Sequence, residues 1–134
     1  MEKEVIKSSI KTPDGTVLTS YYRHDFKIHK DKKTGKEYGI DGGTDYQRYI
    51  GDIDDCEIIL IYSDDSFQNI RDNFTWGTFG INGDEKKSYL KLSEMSNNHI
   101  KAILNTQNHI SYTTKNIFQQ ELEYRKDNYI FIKD

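Results

Sequence analysis

The chain has 134 residues, of which 34% are apolar, 31% charged and 13% aromatic, with a formal net charge of −3. That length is most simply one domain, residues 1–134, and the aromatic content argues against a disordered chain. Acids and bases are interspersed, so no basic stripe is available for nonspecific nucleic-acid binding, and the single cysteine, Cys56, excludes an internal disulfide and a cysteine-based zinc site.

The opening MEKEVIKSSIK lacks the apolar run of a signal peptide, and no segment approaches the length and apolarity of a membrane span. A soluble, intracellular protein is expected. Residues 5–10 read as a short strand, followed by the turn signal Thr12-Pro13-Asp14-Gly15-Thr16. From residue 16 to 29 the chain alternates with period two. Leu18, Tyr22, His24, Phe26 and Ile28 share one face, as one bent strand or two joined at a bulge. Residues 30–36 form a lysine-rich hairpin tip, where His29 is expected to be exposed, and residues 37–40 return as a strand. That strand runs into GIDGGTDY at residues 39–46, the most unusual text in the chain.

Residues 57–62 (EIILIY) are the most apolar run and read as a central strand. Ser63 can cap a helix opened by Asp64 and Asp65, with Phe67, Ile70, Arg71 and Phe74 at helical spacing. Residues 76–84 are a glycine-punctuated loop or hairpin, and residues 88–92 another strand. Ser96 can cap a helix burying Ile100, Ile103 and Leu104. A last helix is predicted over residues 114–126, with Ile117, Phe118 and Leu122 inward and Glu121 and Arg125 forming an i,i+4 pair. Residues 129–132 form a final strand or a packed tail. The class is α+β: an N-terminal antiparallel β-sheet with two or three helices packed against it.

The runs TPDGTVLTSYYRHDF, GIDGGTDYQRY, FTWGTFGINGD, HIKAILNTQ and ELEYR occur in this order. Together they resemble a family of small, uncharacterised proteins of tailed bacteriophages and prophages, over roughly residues 12–125. The resemblance implies an accessory gene product working in the host-cell cytoplasm, with no established reaction and no catalytic residue to carry over. Such products often counter host defence by capturing a host protein or sequestering a nucleotide-like signal, and a homo-oligomer fits that role.

The candidate chemistry is sparse. His24 and Asp25, adjacent on a strand, point to opposite faces and make no couple; His24 on the apolar face reads first as a core histidine. As a catalytic residue it would need Asp41 or Asp45 beside it and a phosphorylated or nucleotide substrate. Asp41, Asp45, Asp52, Asp54 and Asp55 read as solvated loop acids rather than metal ligands, because no calcium-loop or zinc spacing is present. No metal and no cofactor is expected. Gly42 and Gly43 read as a hairpin exit. Were they a site, it would take a hydroxyl-rich or metal-bridged group beside Arg23 and Arg48, since Asp41 and Asp45 repel a bare phosphate. Tyr22 and Trp76 read first as the rim of a lean core, and otherwise as contact residues for a base or a protein. The ligand-binding candidates are therefore Tyr22, Arg23, Gly42, Gly43, Asp45, Arg48 and Trp76. A binding role is favoured; an enzyme, or a structural or replication-associated phage part, is the alternative.

Overall fold

The computed structural model describes residues 3–80 and 82–134, and shows an α+β chain in which N-terminal antiparallel sheets precede three helices. The chain divides into two compact units, Met1–Asp65 and Ser66–Asp134.

The first unit is mostly β. Strands β1 (Val5–Lys11), β2 (Val17–Ser20) and β6 (Glu57–Tyr62) form one antiparallel sheet in the order β2-β1-β6. Strands β3 (Lys27–Lys30), β4 (Glu37–Asp41) and β5 (Arg48–Ile50) form a second, in the order β3-β4-β5. The core is small: Ile10, Tyr38 and Ile40 are fully buried, with Leu18, Tyr49, Ile53 and Cys56 packed against them. Tyr38 buries its ring yet keeps its hydroxyl bonded, donating to Asp55 at 2.7 Å. Burial pushes the Cys56 thiol above its ordinary range, which suits an unreactive core group.

Four expectations fail in this unit, each for a local reason. The stretch over residues 16–29 is neither one bent strand nor two joined at a bulge: it is two strands, β2 and β3, parted by a turn over residues 21–26. His24 is exposed in that turn rather than buried on an apolar face; the buried side chain is Asp25, which accepts the Tyr21 N–H at 2.8 Å. The run EIILIY is not central: β6 pairs only with β1 among the described residues, and β1 holds the middle of the sheet. Ser63 caps no helix, because its hydroxyl accepts the Glu4 N–H at 2.8 Å.

The second unit is mostly helical. Helix α1 (Phe67–Asn73) starts at Ser66, whose hydroxyl accepts the Asn69 N–H. A hairpin of β7 (Thr75–Thr78) and β8 (Ser88–Lys91) follows, then α2 (Asn97–Thr106) and α3 (Tyr112–Asp127). Ser96 caps α2 as its sequence position suggests, and Ser111 caps α3, which begins two residues earlier than the apolar periodicity indicates. The C-terminal tail is not a strand but is packed: the Asn97 N–H donates to the Ile132 carbonyl at 2.9 Å and the Ile132 N–H returns to Asn97 Oδ1 at 3.0 Å.

The Glu121–Arg125 i,i+4 pair forms as its spacing indicates, and it is buried. Glu121 is 0% exposed and accepts two bonds from Arg71, both at 2.9 Å, and one from Arg125 at 2.7 Å. Arg125 directs its other donors to Asn97 Oδ1 at 2.8 Å and the Leu92 carbonyl at 3.0 Å. A buried charge is tolerated only when paired and hydrogen-bonded, and here one carboxylate serves two guanidiniums. The buried apolar side chains of this unit are Ile70, Phe74, Leu92, Met95, Ile100, Ile103, Ile117 and Phe118. No helix among the described residues is long and apolar enough to cross a membrane.

Candidate functional site

The glycine stretch closes the β4–β5 hairpin and fixes a corner of the first unit. Gly42 has φ 90° and Gly43 φ 60°, both in the left-handed region. Either glycine also has backbone where a side chain would go. A Cβ on Gly42 would run into the Tyr46 carbonyl, and one on Gly43 would lie 2.7 Å from the Tyr22 carbonyl carbon. The two N–H groups are spoken for. Gly42 donates to its neighbour Asp41 Oδ1 at 2.8 Å, and Gly43 donates to the buried Ser20 hydroxyl at 2.8 Å. Ser20 in turn donates to the Asp25 carbonyl at 2.7 Å, so one hydroxyl ties the 21–26 turn to the glycine loop. An anion-binding nest needs free N–H groups, and these two are taken.

What this corner presents is a stack of rings and guanidiniums. Tyr46 is 54% exposed and Tyr22 53%. The Arg48 guanidinium lies 5.0 Å from the Tyr46 ring centre and that of Arg23 5.8 Å from the same ring. Arg48 is also held by an ion pair with Asp41 at 2.6 Å. Arg23 makes no ion pair or hydrogen bond among the described residues, so it is the available cation. The turn ends on Phe26, 54% exposed. The fold therefore gathers five of the seven predicted ligand-binding residues, Tyr22, Arg23, Gly42, Gly43 and Arg48. Asp45 is exposed in the same loop, with no hydrogen bond or ion pair among the described residues. Trp76 belongs to the second unit, where it packs edge-on against Phe118 at 5.3 Å between ring centres. Among the described residues, no hydrogen bond or ion pair joins His24 to Asp41 or Asp45.

No protein-family model, curated protein or solved structure matches the chain. Its chemistry is therefore read from its own residues.

One cluster has no counterpart among the sequence expectations. Asp14, from the β1–β2 turn, meets His29 and Asp31 from the β3–β4 hairpin, with one potential ligand atom of each within 4.8 Å of the others. These are the residues that could hold a cation, but their lone pairs are used. The Asp14 carboxylate accepts from Thr12 Oγ1, the Thr16 N–H, the Lys32 N–H and His29 Nε2. Asp31 accepts from the Asp14, Lys33 and Thr34 N–H groups. The arrangement is a clasp between two turns, and His29 is half-buried in it rather than loose at the tip. The Lys32 backbone donor, first among several bonds, holds the Asp14 carboxyl far below its ordinary value. Aspartates at turn starts, in TPDG and KDKKTG, are the local signal of such Asx bonding. Of the loop acids, Asp52 and Asp55 pair with Lys36 at 3.1 and 3.4 Å, as solvated acids do.

Proposed function

We propose that this chain is a binding protein that captures a partner protein through the Tyr22–Arg23–Tyr46–Arg48 corner. The observation that carries the reading is the pair of half-exposed tyrosines with two guanidiniums over one ring, on a loop whose glycines admit no other side chain. Tyrosine and arginine dominate the energetics of protein interfaces, because they bring large contact area at small entropic cost. Unpaired Arg23 favours a partner surface bearing a carboxylate. The motif resemblance to phage accessory proteins makes a host protein the partner, and interference with host defence the setting.

Sequestration of a nucleotide-like signal is the second reading, since a ring and a guanidinium also suit a base and a phosphate. It is the weaker because the glycine N–H groups are already used and Arg48 is paired with Asp41. The hydrolytic alternative draws no support from an exposed His24 apart from Asp41 and Asp45.

The test compares the wild-type chain with an Arg23→Glu/Tyr46→Ala variant in capture from host lysate, with circular dichroism as the folding check. A discrete partner retained by the wild type and lost by a folded variant is the expected result. Equal capture by both overturns the assignment. A thermal shift with cyclic or ADP-ribose-type nucleotides and no captured protein replaces it with the second reading.

A further inference from the structure

The second unit carries a groove of about 710 Å³, within the range of small-molecule sites. Its floor is one face of the β7–β8 hairpin, where the cross-strand pairs Trp76–Leu90 and Thr78–Ser88 lie side by side. The floor is thus apolar at one end and hydroxyl-bearing at the other. Its wall is one stripe of α2, with His99, Ala102 and Thr106 spaced three to four residues apart. Glu85, Glu94 and Asp134 bring carboxylates to the rim, against one cation among the described residues, Lys133. Gly80 has no Cβ where the Glu85 carboxylate lies, so the acid folds in against the backbone.

His99 is the unexplained group. Its backbone N–H completes the Ser96 cap at 3.0 Å, but its ring has no hydrogen bond or ion pair among the described residues although it is half-buried. Burial lowers its pKa below the ordinary histidine value, with Asp134 acting in the opposite sense, so the ring is neutral at physiological pH and offers one donor and one acceptor. Asp134 is engaged elsewhere, accepting from Ser96 and Asn98.

We infer that this groove binds an unphosphorylated, polyhydroxylated ring, with the ring's apolar face on Trp76 and Leu90 and its hydroxyls on Glu94, Thr78, Ser88 and the His99 imidazole. An indole face beside carboxylate and hydroxyl acceptors complements a ring that is apolar above and hydroxylated at its edge. The acids at the rim repel a phosphate, which separates this site from one for nucleotides. Nucleosides and free sugars share this chemistry. The site is independent of the corner on the first unit and of the partner proposed for it.

Trp76 is the chain's only tryptophan, so its indole N–H resonance is a single reporter inside the groove. The full chain is titrated with adenosine, guanosine, cytidine and uridine, with ribose and glucose, and with the matching nucleoside 5′-monophosphates. A saturable shift with nucleosides or with sugars is expected; which set acts identifies the source. The monophosphates should bind at least about tenfold more weakly than their nucleosides. Ala102→Phe, on an exposed helix position, should fill the groove and abolish the shift without lowering Tm, and Glu94→Gln should weaken it. No shift with any nucleoside or sugar overturns the inference. So does tighter binding of the monophosphates, or a shift that persists in folded Ala102→Phe.

Discussion

The two units use carboxylates in opposite ways. In the first, half-buried Asp14 and buried Asp31 accept mainly backbone N–H groups, so they fix loop shape. In the second, Glu121 is wholly buried and accepts only from the side chains of Arg71 and Arg125 among the described residues, so it joins α1 to α3. The first arrangement orders turns around a core of few large side chains. The second places an ionic knot within an apolar one. The lesson is that an acidic residue's role follows from what donates to it, which composition and spacing do not show.

Breaking the buried knot should have the largest effect. Glu121→Ala leaves two guanidiniums buried without their carboxylate and should cost about 3–5 kcal/mol by urea unfolding. Replacing Glu121 and Arg71 together by leucine should cost markedly less than the sum of the single changes. Additivity would show that the two residues do not act as a pair.

Next comes the glycine corner. Gly43→Ala forces a Cβ into the Tyr22 backbone at a positive φ, and should destabilise by more than about 1 kcal/mol. A variant as stable as wild type would mean the loop relaxes easily and the corner is not held as described.

The clasp should answer to pH. The folded pKa values of Asp14 and Asp31 both lie below the ordinary 3.8. For Asp14 the Lys32 N–H is the main cause; for Asp31 burial opposes the shift and backbone donors, led by Asp14, outweigh it. Groups depressed in this way contribute stability that is present above the unfolded value and lost as pH falls through the folded one. Stability should therefore decline as pH drops below about 4, and Asp14→Asn should flatten that decline while lowering stability at neutral pH. An unchanged acid profile in the Asp14→Asn variant would remove the clasp from the account of acid stability.

The smallest effect on folding belongs to the exposed stack. Arg23→Glu/Tyr46→Ala should change stability by about 0.5 kcal/mol or less per site, read by urea unfolding, while removing partner capture. A large loss of stability would make the stack a structural support instead of an interface.

Much of this architecture is legible in the sequence. The turn signal after residue 11 marks the end of β1, the lysine-rich tip marks the return into β4, Ser96 marks the start of α2, and the adjacent glycines mark a turn that needs positive φ. The break between β2 and β3 is not legible, because Tyr22, His24 and Phe26 keep strand parity through a turn. The bonds of Asp25 to Tyr21, Lys27 and the Ser20 hydroxyl hold that turn. β5 is three residues long, too short to show a period. Tyr46 stacks with an arginine 23 positions earlier, and Asp14 bonds His29 15 positions later, distances that no local pattern spans. The spacing of Glu121 and Arg125 is visible, but their burial depends on Arg71, 50 residues from Glu121.

The decisive measurement is site-specific photo-crosslinking in the cells that produce the chain, with a photoreactive phenylalanine analogue at position 46, at position 23, and at the exposed Lys101 of α2 as control. A discrete crosslinked protein obtained from positions 46 and 23 but not from 101 is the expected result. No adduct at the corner, or the same adduct from all three positions, would contradict a partner-binding role for this surface.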